Sequence, residues 1–494
     1  MKSIQTTVCL TQNLLTGVLL LGIFSGFNFL TELDAVPSKY GSWVGTAVNL
    51  GRDAKGDNVS YRGIVVRLNE SGNACVVFDG DTMRMAAGWT KGGLKLDGLP
   101  FTGGHGRFPS HGGEKVFVAQ AAPGWASPKG ELADPREGKY SPLGPLPKDW
   151  AKFGGLYVHG NRVVLKYTVG GAKVLESPSL VEKDGLSAII RTIRIAGDGK
   201  DKTLVLSDAR DGEVVTTAHV PEGAKLEIKD GLNLLHLPGN KGVTTFQVLY
   251  GKGSLEDLKK ISTKPEDLLV LTKGGGVRWK ETVKTKGEVS KEDKAYVIDR
   301  LTVPYNNPYG MQIRIGGFDF FKDGKTAAIS TWDGDVWLVR NIDEKLENLE
   351  WKRFAAGLHE PLGLKIVDDV IYTVADDQIT RFHDFNGDDE ADFYENFNND
   401  WDLTSGFHAF CFDLHTDKVG NFYFAFGSPV RSGGRSFERL GRHHGSIIKI
   451  SKDGSRLERY ATGLRAPNGM GVSPDGQVTS GDNEGTFVPR SPIN

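Results

Sequence analysis

The sequence predicts a mainly β protein, in which N-terminal β-rich domains precede a β-propeller that the chain leaves incomplete. Glycine makes up 64 of the 494 residues, which fits many tight turns between short strands. Runs rich in β-branched and aromatic residues alternate with these turns along most of the chain. A motif near the C-terminus recurs at a spacing that is typical of propeller blades.

Composition limits the class of protein. Hydrophobic residues are 39% and charged residues 25%, so a folded chain of two to four domains is expected. Sixty basic and 62 acidic residues give a net charge of -2, which excludes the basic footprint of a general nucleic-acid binder. Three cysteines exclude a disulfide scaffold, and Cys75 and Cys411 are either free or joined to each other. No Cys-x-x-Cys-His occurs, so we expect no haem c.

Residues 1–35 are predicted to be a signal peptide or a membrane anchor. Lys2 is the last charged residue before Glu32, and residues 14–30 between them are mostly apolar. A basic start before an apolar core is typical of an export signal. The apolar run is also almost long enough to span a bilayer, so attachment to a membrane is the alternative. By either route the rest of the chain is expected in the periplasm, at the cell surface or secreted.

Two β-rich regions follow, over residues 40–150 and 151–276. In the first, residues 61–68 and 74–78 flank a Gly/Asn/Ser turn and predict a hairpin. In the second, a hairpin is predicted around Gly160 and Asn161. One short helix is predicted to begin at Ser254, which has the pattern of an N-cap. Residues 274–276, all glycine, are interpreted as a linker.

Propeller blades are predicted over residues 304–494. The motif of residues 354–364 recurs at 460–470, an offset of 460 - 354 = 106 residues, with a weaker copy at 407–412 halfway between. A repeat of this length, with Asp-Gly turns, is typical of four-stranded blades that bury their faces only by stacking on neighbours. About four blades fit this length, so the chain either closes a small ring or ends within a larger propeller. We favour the second.

An acidic segment between two predicted strands suggests a calcium site. Oxygen-bearing side chains at alternate positions, with Gly387 to allow a tight turn, suit a hard cation. The segment resembles the calcium loops of integrin-type propellers. A hydrated acidic turn is the alternative interpretation. The predicted ligands are Asp384, Asn386, Asp388, Glu390, Asp392 and Glu395.

The run from His408 to residue 485 resembles the soluble PQQ-dependent glucose dehydrogenases and the wider glucose/sorbosone dehydrogenase family. The strand at 445–450 and the segment at 463–469 carry the resemblance. It implies that His408 is the base that accepts a proton from a sugar hydroxyl. It also implies that Arg465 faces an anionic quinone, with Asn468 and Asp482 beside the cofactor. From the residues alone, His408 could be structural, Arg465 could pair with Asp482, and Asp482 could form a turn.

The whole chain resembles a group of exported bacterial proteins named as membrane-bound dehydrogenases, which join an N-terminal β domain of unknown function to a propeller. Residues 87–89, 144–150 and 332–337 carry this resemblance. Two functions are therefore predicted. The first is a quinone-dependent sugar or polyol oxidoreductase. The alternative is a non-catalytic, calcium-stabilised module that binds a glycan or a protein. Trp332, Trp337, Trp351 and Trp401 would suit stacking on sugar rings, but they are expected to pack between blades.

Overall fold

The computed structural model describes residues 38–53, 56–104, 108–136, 144–210, 212–404, 408–430, 440–484 and 490–493. These residues belong to one compact unit, Asp34–Asn494. The predicted signal peptide or anchor at 1–35 lies outside the described residues. Within the described ranges, no helix has both the length and the apolar composition needed to cross a bilayer.

The first β region forms one seven-stranded sheet in the order β5-β6-β1-β2-β3-β4-β7. The predicted hairpin is confirmed, because Gly63 of β2 pairs with Asp79 of β3 and Arg67 pairs with Cys75. A short helix, α1, spans Leu99–Thr102, and a 3-10 turn at Ser38–Tyr40 precedes the sheet. The strands are β1 (Trp43–Asp53), β2 (Gly56–Arg67), β3 (Cys75–Asp79), β4 (Arg84–Thr90), β5 (Leu94–Lys95), β6 (Ser110–His111) and β7 (Glu114–Val118).

The second β region contains the predicted hairpin and the predicted helix. Helix α2 spans Leu255–Ile261, and the Ser254 hydroxyl accepts a hydrogen bond from the Asp257 amide, as an N-cap does. A 3-10 turn follows at Val270–Thr272. The strands are β8 (Ala151–His159), β9 (Arg162–Val169), β10 (Ala172–Lys183), β11 (Leu186–Ala196), β12 (Lys202–Asp208), β13 (Val214–Ala218), β14 (Lys225–Lys229), β15 (Leu232–Leu237) and β16 (Val243–Gly251). Strand β17 (Thr282–Thr285) follows this region and belongs to the sheet of the first propeller blade.

The C-terminal region forms propeller blades. Strands β18–β21, β22–β25 and β26–β29 make three antiparallel four-stranded units, and β30 and β31 make a two-stranded one. The strands are β18 (Ile315–Phe320), β19 (Ala327–Thr331), β20 (Val336–Arg340), β21 (Leu349–Ala355), β22 (Gly363–Val367), β23 (Val370–Val374), β24 (Ile379–His383), β25 (Phe393–Asn398), β26 (Cys411–Thr416), β27 (Phe422–Phe426), β28 (Ser446–Ile450), β29 (Leu457–Thr462), β30 (Pro467–Val472) and β31 (Val478–Asp482).

The first strands of successive blades contact one another, as expected for strands arranged around a common axis. A repeated aspartate links them. Asp319 of β18 accepts the backbone N–H of Ile366 in β22 at 2.9 Å, and Asp413 of β26 accepts that of Met470 in β30 at 2.8 Å. The predicted Asp-Gly turns form, and Gly324 and Gly454 have the positive φ of 65° and 73° that such turns require.

The N-terminal regions and the propeller are continuous. Strand β8 pairs with β25, with Tyr157 opposite Phe393, so the second region and the second blade form one ten-stranded sheet. One hydrophobic core includes Phe78 of the first region, Leu165 of the second and Val336 of the propeller. The predicted boundary at residue 150 therefore does not separate two cores. Trp337 and Trp351 are buried in a separate cluster of the first blade and Trp401 in one between the second and third blades, which confirms their packing role, whereas Trp332 is only half-buried.

Candidate metal centre

Three potential metal ligands meet where the first blade leads into the second. The ligand atoms of His359, Glu360 and Asp376 all lie within 4.8 Å of one another. His359 and Glu360 lie between β21 and β22, and Asp376 lies in the turn between β23 and β24. Among the described residues, this is the one group of three or more His, Cys, Asp or Glu side chains that is so closely spaced.

His359 supplies an uncharged nitrogen donor. Its side chain is 7% exposed, and its Nδ1 has no hydrogen-bond partner among the described residues. Burial, and next the charge of Arg62, lowers the pKa of His359 to about 3, so the imidazole is neutral at physiological pH. A buried polar atom that lacks a partner is costly, and a neutral imidazole is a common metal ligand. These properties suit a nitrogen that binds a cation.

The two carboxyl groups lack a direct ion-pair partner in the described structure. Burial raises the pKa of Glu360 to about 7, although the Trp332 hydrogen bond and the charge of Arg314 act to lower it. Burial, and next the charge of Glu360, raises the pKa of Asp376 well above its usual value. Neighbouring carboxyls with raised pKa values repel each other when ionised. A divalent cation between them would remove that repulsion.

The surrounding side chains fix this geometry. Glu360 has a φ of 56°, a left-handed conformation that is uncommon outside glycine, and its carboxylate accepts a hydrogen bond from Trp332 Nε1. Arg314 lies over the Trp332 ring, 4.3 Å from its centre, and is paired with Asp333 at 2.6 Å. Because strained backbone conformations persist only where the surroundings enforce them, the position of Glu360 is strongly specified.

Arg62 of the first β region holds the opposite side of the cluster. Its guanidinium is buried and donates to the carboxylate of Asp81 and to the backbone oxygens of Asp377 and Trp401, the latter two at 2.7 Å. Asp376 directly precedes Asp377 in the chain, and the backbone N–H of Asp376 donates to the His359 carbonyl at 3.0 Å. The N-terminal sheet therefore positions a ligand that the propeller supplies.

A cavity of about 60 Å³ adjoins the three ligands. Its volume holds roughly two water molecules at about 30 Å³ each. The propeller contributes the ligands and Phe410, β1 contributes Thr46 and Ala47, and the N-terminal region adds Phe101 of α1 and Phe108. The site therefore has three protein ligands and one side that faces a small, partly aromatic space. Three ligands with an open position are typical of catalytic rather than structural metal sites.

The residues predicted for a quinone site lie in the last blades. His408 is half-buried and precedes β26, while Asn468 is exposed in β30. Arg465 and Asp482 do meet, because the carboxylate of Asp482 accepts the backbone N–H of Arg465 at 2.9 Å and that of Ala466 at 2.8 Å. Asp482 thus fastens the start of β30 to β31. The catalytic and cofactor roles of these residues stay predictions.

The acidic segment divides into two groups of side chains. Glu390 forms buried ion pairs with Lys352 at 2.8 Å and Arg278 at 3.1 Å. Glu395 lies in β25 and is bonded to Arg381 at 2.7 Å and His383 at 2.6 Å; burial opposes ionisation, but these partners lower its pKa to about 2. Both carboxylates therefore already have cationic partners, so an ion would have to compete with them.

The other four predicted calcium ligands stay together in the turn. Asp384 accepts the backbone N–H groups of residues 387–389, and Asn386 donates to Asp388. Asp392 accepts the Gly275 amide at 3.1 Å, so the predicted linker is fixed to this turn. Burial, followed by nearby carboxylates, raises the pKa values of Asp388 and Asp392. Calcium binding here stays a prediction, with these four as its best ligands.

The sequence analysis missed His359, Glu360 and Asp376. The signal was present in the repeat, because His359 and Glu360 in one copy correspond to Arg465 and Ala466 in the other. A pair of ligand-type residues in only one copy of a repeat marks a site that the fold itself does not require. Asp376 could not be found in this way, since it lies in a different hairpin.

Residues 76–176 match the family model described as Domain of unknown function (DUF6797). The match runs from β3 into β10 and so includes α1 and part of the cavity wall. No curated protein matches the chain.

Solved structures with partial similarity include sugar-lactone hydrolases. A gluconolactonase from Xanthomonas campestris is 20% identical with a TM-score of 0.27, and the match covers 37% of this chain and 57% of that enzyme. A candidate 6-phosphogluconolactonase from Bacteroides uniformis is 10% identical with a TM-score of 0.25, covering 92% of this chain and 95% of that one. The chain thus spans little more than half the length of the first of these. Structural similarity this weak gives no information on the activity or the substrate of this protein.

Proposed function

We propose that His359, Glu360 and Asp376 bind one divalent ion of the first transition row, and that the protein is a metal-dependent hydrolase of a small substrate. The observation that carries the proposal is the buried, unpartnered Nδ1 of His359 beside two carboxyl groups with raised pKa values. The predicted export signal would place this activity outside the cytoplasm.

The donor set favours a transition metal over calcium. Calcium takes six to eight oxygen ligands, whereas one imidazole and two carboxylates suit Zn²⁺ or Mn²⁺. Metal–ligand bonds of about 2.0–2.2 Å hold ligand atoms within roughly 4.4 Å of one another. Because the ligand atoms here lie within 4.8 Å, closure on an ion requires only small side-chain movements.

The chain's own residues account for orientation and access. His359 offers a neutral nitrogen, Trp332 orients the Glu360 carboxylate, and the Cys411 amide contacts Asp376 at 3.4 Å. The cavity would leave a bound ion accessible from the side that Phe101, Phe108 and Phe410 line. A bound ion of this kind supplies a Lewis acid that polarises a carbonyl group and acidifies a bound water.

The test is a calorimetric titration of chelator-treated protein with Zn²⁺ and with Mn²⁺. We expect one site per chain, and we expect His359→Ala to weaken binding by at least about 100-fold, since loss of even an outer-shell partner costs 10–100-fold. His159→Ala is the matched control, because His159 bonds the carbonyl of Lys273 instead. Equal affinity of the wild type and His359→Ala would refute the proposed site.

The oxidoreductase hypothesis gives a different result. Quinone-dependent oxidation of a sugar or polyol rests on the resemblance around His408, and it predicts dye reduction by purified protein supplied with PQQ and a sugar panel. It also predicts that His408→Ala abolishes turnover while His359→Ala retains it. The reverse pattern, or no dye reduction by wild type, would count against this hypothesis.

A further inference from the structure

The cavity beside the proposed metal centre is built by two parts of the chain. Thr46 and Ala47 of β1, together with residues 97–101, 104, 108 and 109, form one wall, and the propeller forms the other. None of the three clustered ligands belongs to this wall. The wall therefore bounds the space beside the ligands without completing the cluster.

The N-terminal wall is fixed to the propeller by specific contacts. Arg314 of the propeller donates to the Pro100 carbonyl at 2.8 Å, and it is the same residue that stacks on Trp332 beside Glu360. The Gly45 amide of β1 donates to the Gly357 carbonyl at 2.6 Å, two residues before His359. At Gly45 a Cβ atom would lie 3.2 Å from that carbonyl and 3.3 Å from His359. The wall is thus docked on the segment that bears the ligands.

Three phenylalanines define the cavity, and each is held by an edge-to-face aromatic partner. Phe101 packs against Tyr40 with ring centres 6.1 Å apart, and Phe108 packs against Tyr61 at 6.3 Å. Phe410, on the propeller side, packs against Trp332 at 5.8 Å. Rings held in this way are less free to move aside. Aromatic side chains with restricted movement around a small cavity limit the size of the group that can reach the proposed metal centre.

We infer that the N-terminal β domain determines the specificity of the propeller site, with Phe101 and Phe108 setting the size of the group admitted to the metal. The inference rests on the proposed metal centre. It assigns a role to part of the region that matches the domain of unknown function, because both phenylalanines lie within residues 76–176. It predicts that these side chains act on ligand access and not on metal affinity.

The test uses Co²⁺-loaded protein and two metal-binding probes of different size, acetohydroxamate and benzohydroxamate, followed by visible absorption of the Co²⁺. We expect the wild type to prefer acetohydroxamate by at least about tenfold, since small differences in fit are worth that much in an enclosed pocket. In the double variant Phe101→Ala/Phe108→Ala the preference should fall to near unity, with unchanged Co²⁺ affinity. Phe320→Ala, at a partly exposed phenylalanine of β18, is the control. An unchanged preference in the double variant would overturn the inference.

A second measurement separates this inference from the metal centre. Diethyl pyrocarbonate modifies neutral imidazoles, and its reaction with His359 in metal-free protein can be followed by mass spectrometry. We expect modification of His359 at least about tenfold faster in the double variant than in the wild type or Phe320→Ala. If Co²⁺ does not bind the wild type, the proposed metal centre is refuted. The rate of His359 modification would still test whether Phe101 and Phe108 limit access to the cavity. Equal rates in all three proteins would overturn the role of Phe101 and Phe108.

Discussion

Replacing Arg62 with alanine is expected to lower the free energy of unfolding by about 3–5 kcal/mol, since the change leaves Asp81 buried without its partner. Asp81 and Arg62 are 3% and 4% exposed, so water cannot replace the lost ion pair. The same change also removes hydrogen bonds to the carbonyls of Asp377 and Trp401. Chemical denaturation of the purified protein would measure the loss.

Two further variants show whether burial causes this effect. Arg52 pairs with Asp57 on the surface, where both side chains are mostly exposed, so Arg52→Ala should change stability by less than about 1 kcal/mol. The double variant Arg62→Ala/Asp81→Ala should be less destabilised than Arg62→Ala, because no unpaired buried charge is left. Equal free energies of unfolding for Arg62→Ala and Arg52→Ala would contradict the claim that a buried network around Arg62 positions Asp376.

Stabilisation of the fold by Zn²⁺ is expected to be large at pH 8 and much smaller at pH 5.5. Saturation at 1,000 times the dissociation constant stabilises a fold by about 4 kcal/mol. At pH 5.5, Glu360 lies about 1.5 units below its pKa of about 7, and displacing its proton costs roughly 2 kcal/mol. Asp376, with a pKa well above its usual value, adds a further cost. His359 is neutral at both pH values and adds none.

The metal-free protein should show the opposite trend. A carboxyl with a raised pKa holds its proton in the folded state after the unfolded chain has lost it. For Glu360 this applies between its ordinary pKa of 4.5 and its pKa of about 7 in the fold, so the metal-free fold loses stability as pH rises through that window. Glu360→Gln/Asp376→Asn should therefore melt higher than metal-free wild type at pH 8 and should not respond to Zn²⁺. A variant that melts lower, or an equal Zn²⁺ response at both pH values, would contradict this assignment.

Local features of the fold were predictable from the sequence. The hairpin around Gly160 and the Ser254 cap depend on residues that are close in sequence, and both occur. The pairing of β8 with β25 joins Tyr157 to Phe393, more than two hundred residues later. No local pattern specifies such a partner, since either strand edge could pair with many others. The sequence therefore predicted β regions and blades, but not the continuous sheet that joins them.

The candidate metal centre could not be predicted from local sequence patterns either. His359 and Glu360 lie in the first copy of the repeated motif. The resemblance to dehydrogenases, however, predicted a functional residue only in the second copy, at Arg465. Asp376, Arg62 and Phe101 come from three further segments. They meet only because the N-terminal sheet docks on the second blade. Such a site depends on tertiary contacts, which composition and spacing do not contain.

The central claim, a metal ion held by His359, Glu360 and Asp376, is tested most directly by anomalous X-ray diffraction from crystals soaked in Zn²⁺ or Mn²⁺. The account predicts one strong peak about 2.0–2.2 Å from a nitrogen of His359 and from oxygens of both carboxylates, and calcium soaks should instead occupy the turn at 384–392 if that prediction holds. A map with no transition-metal peak beside His359, or with the peak in the acidic turn alone, would contradict it.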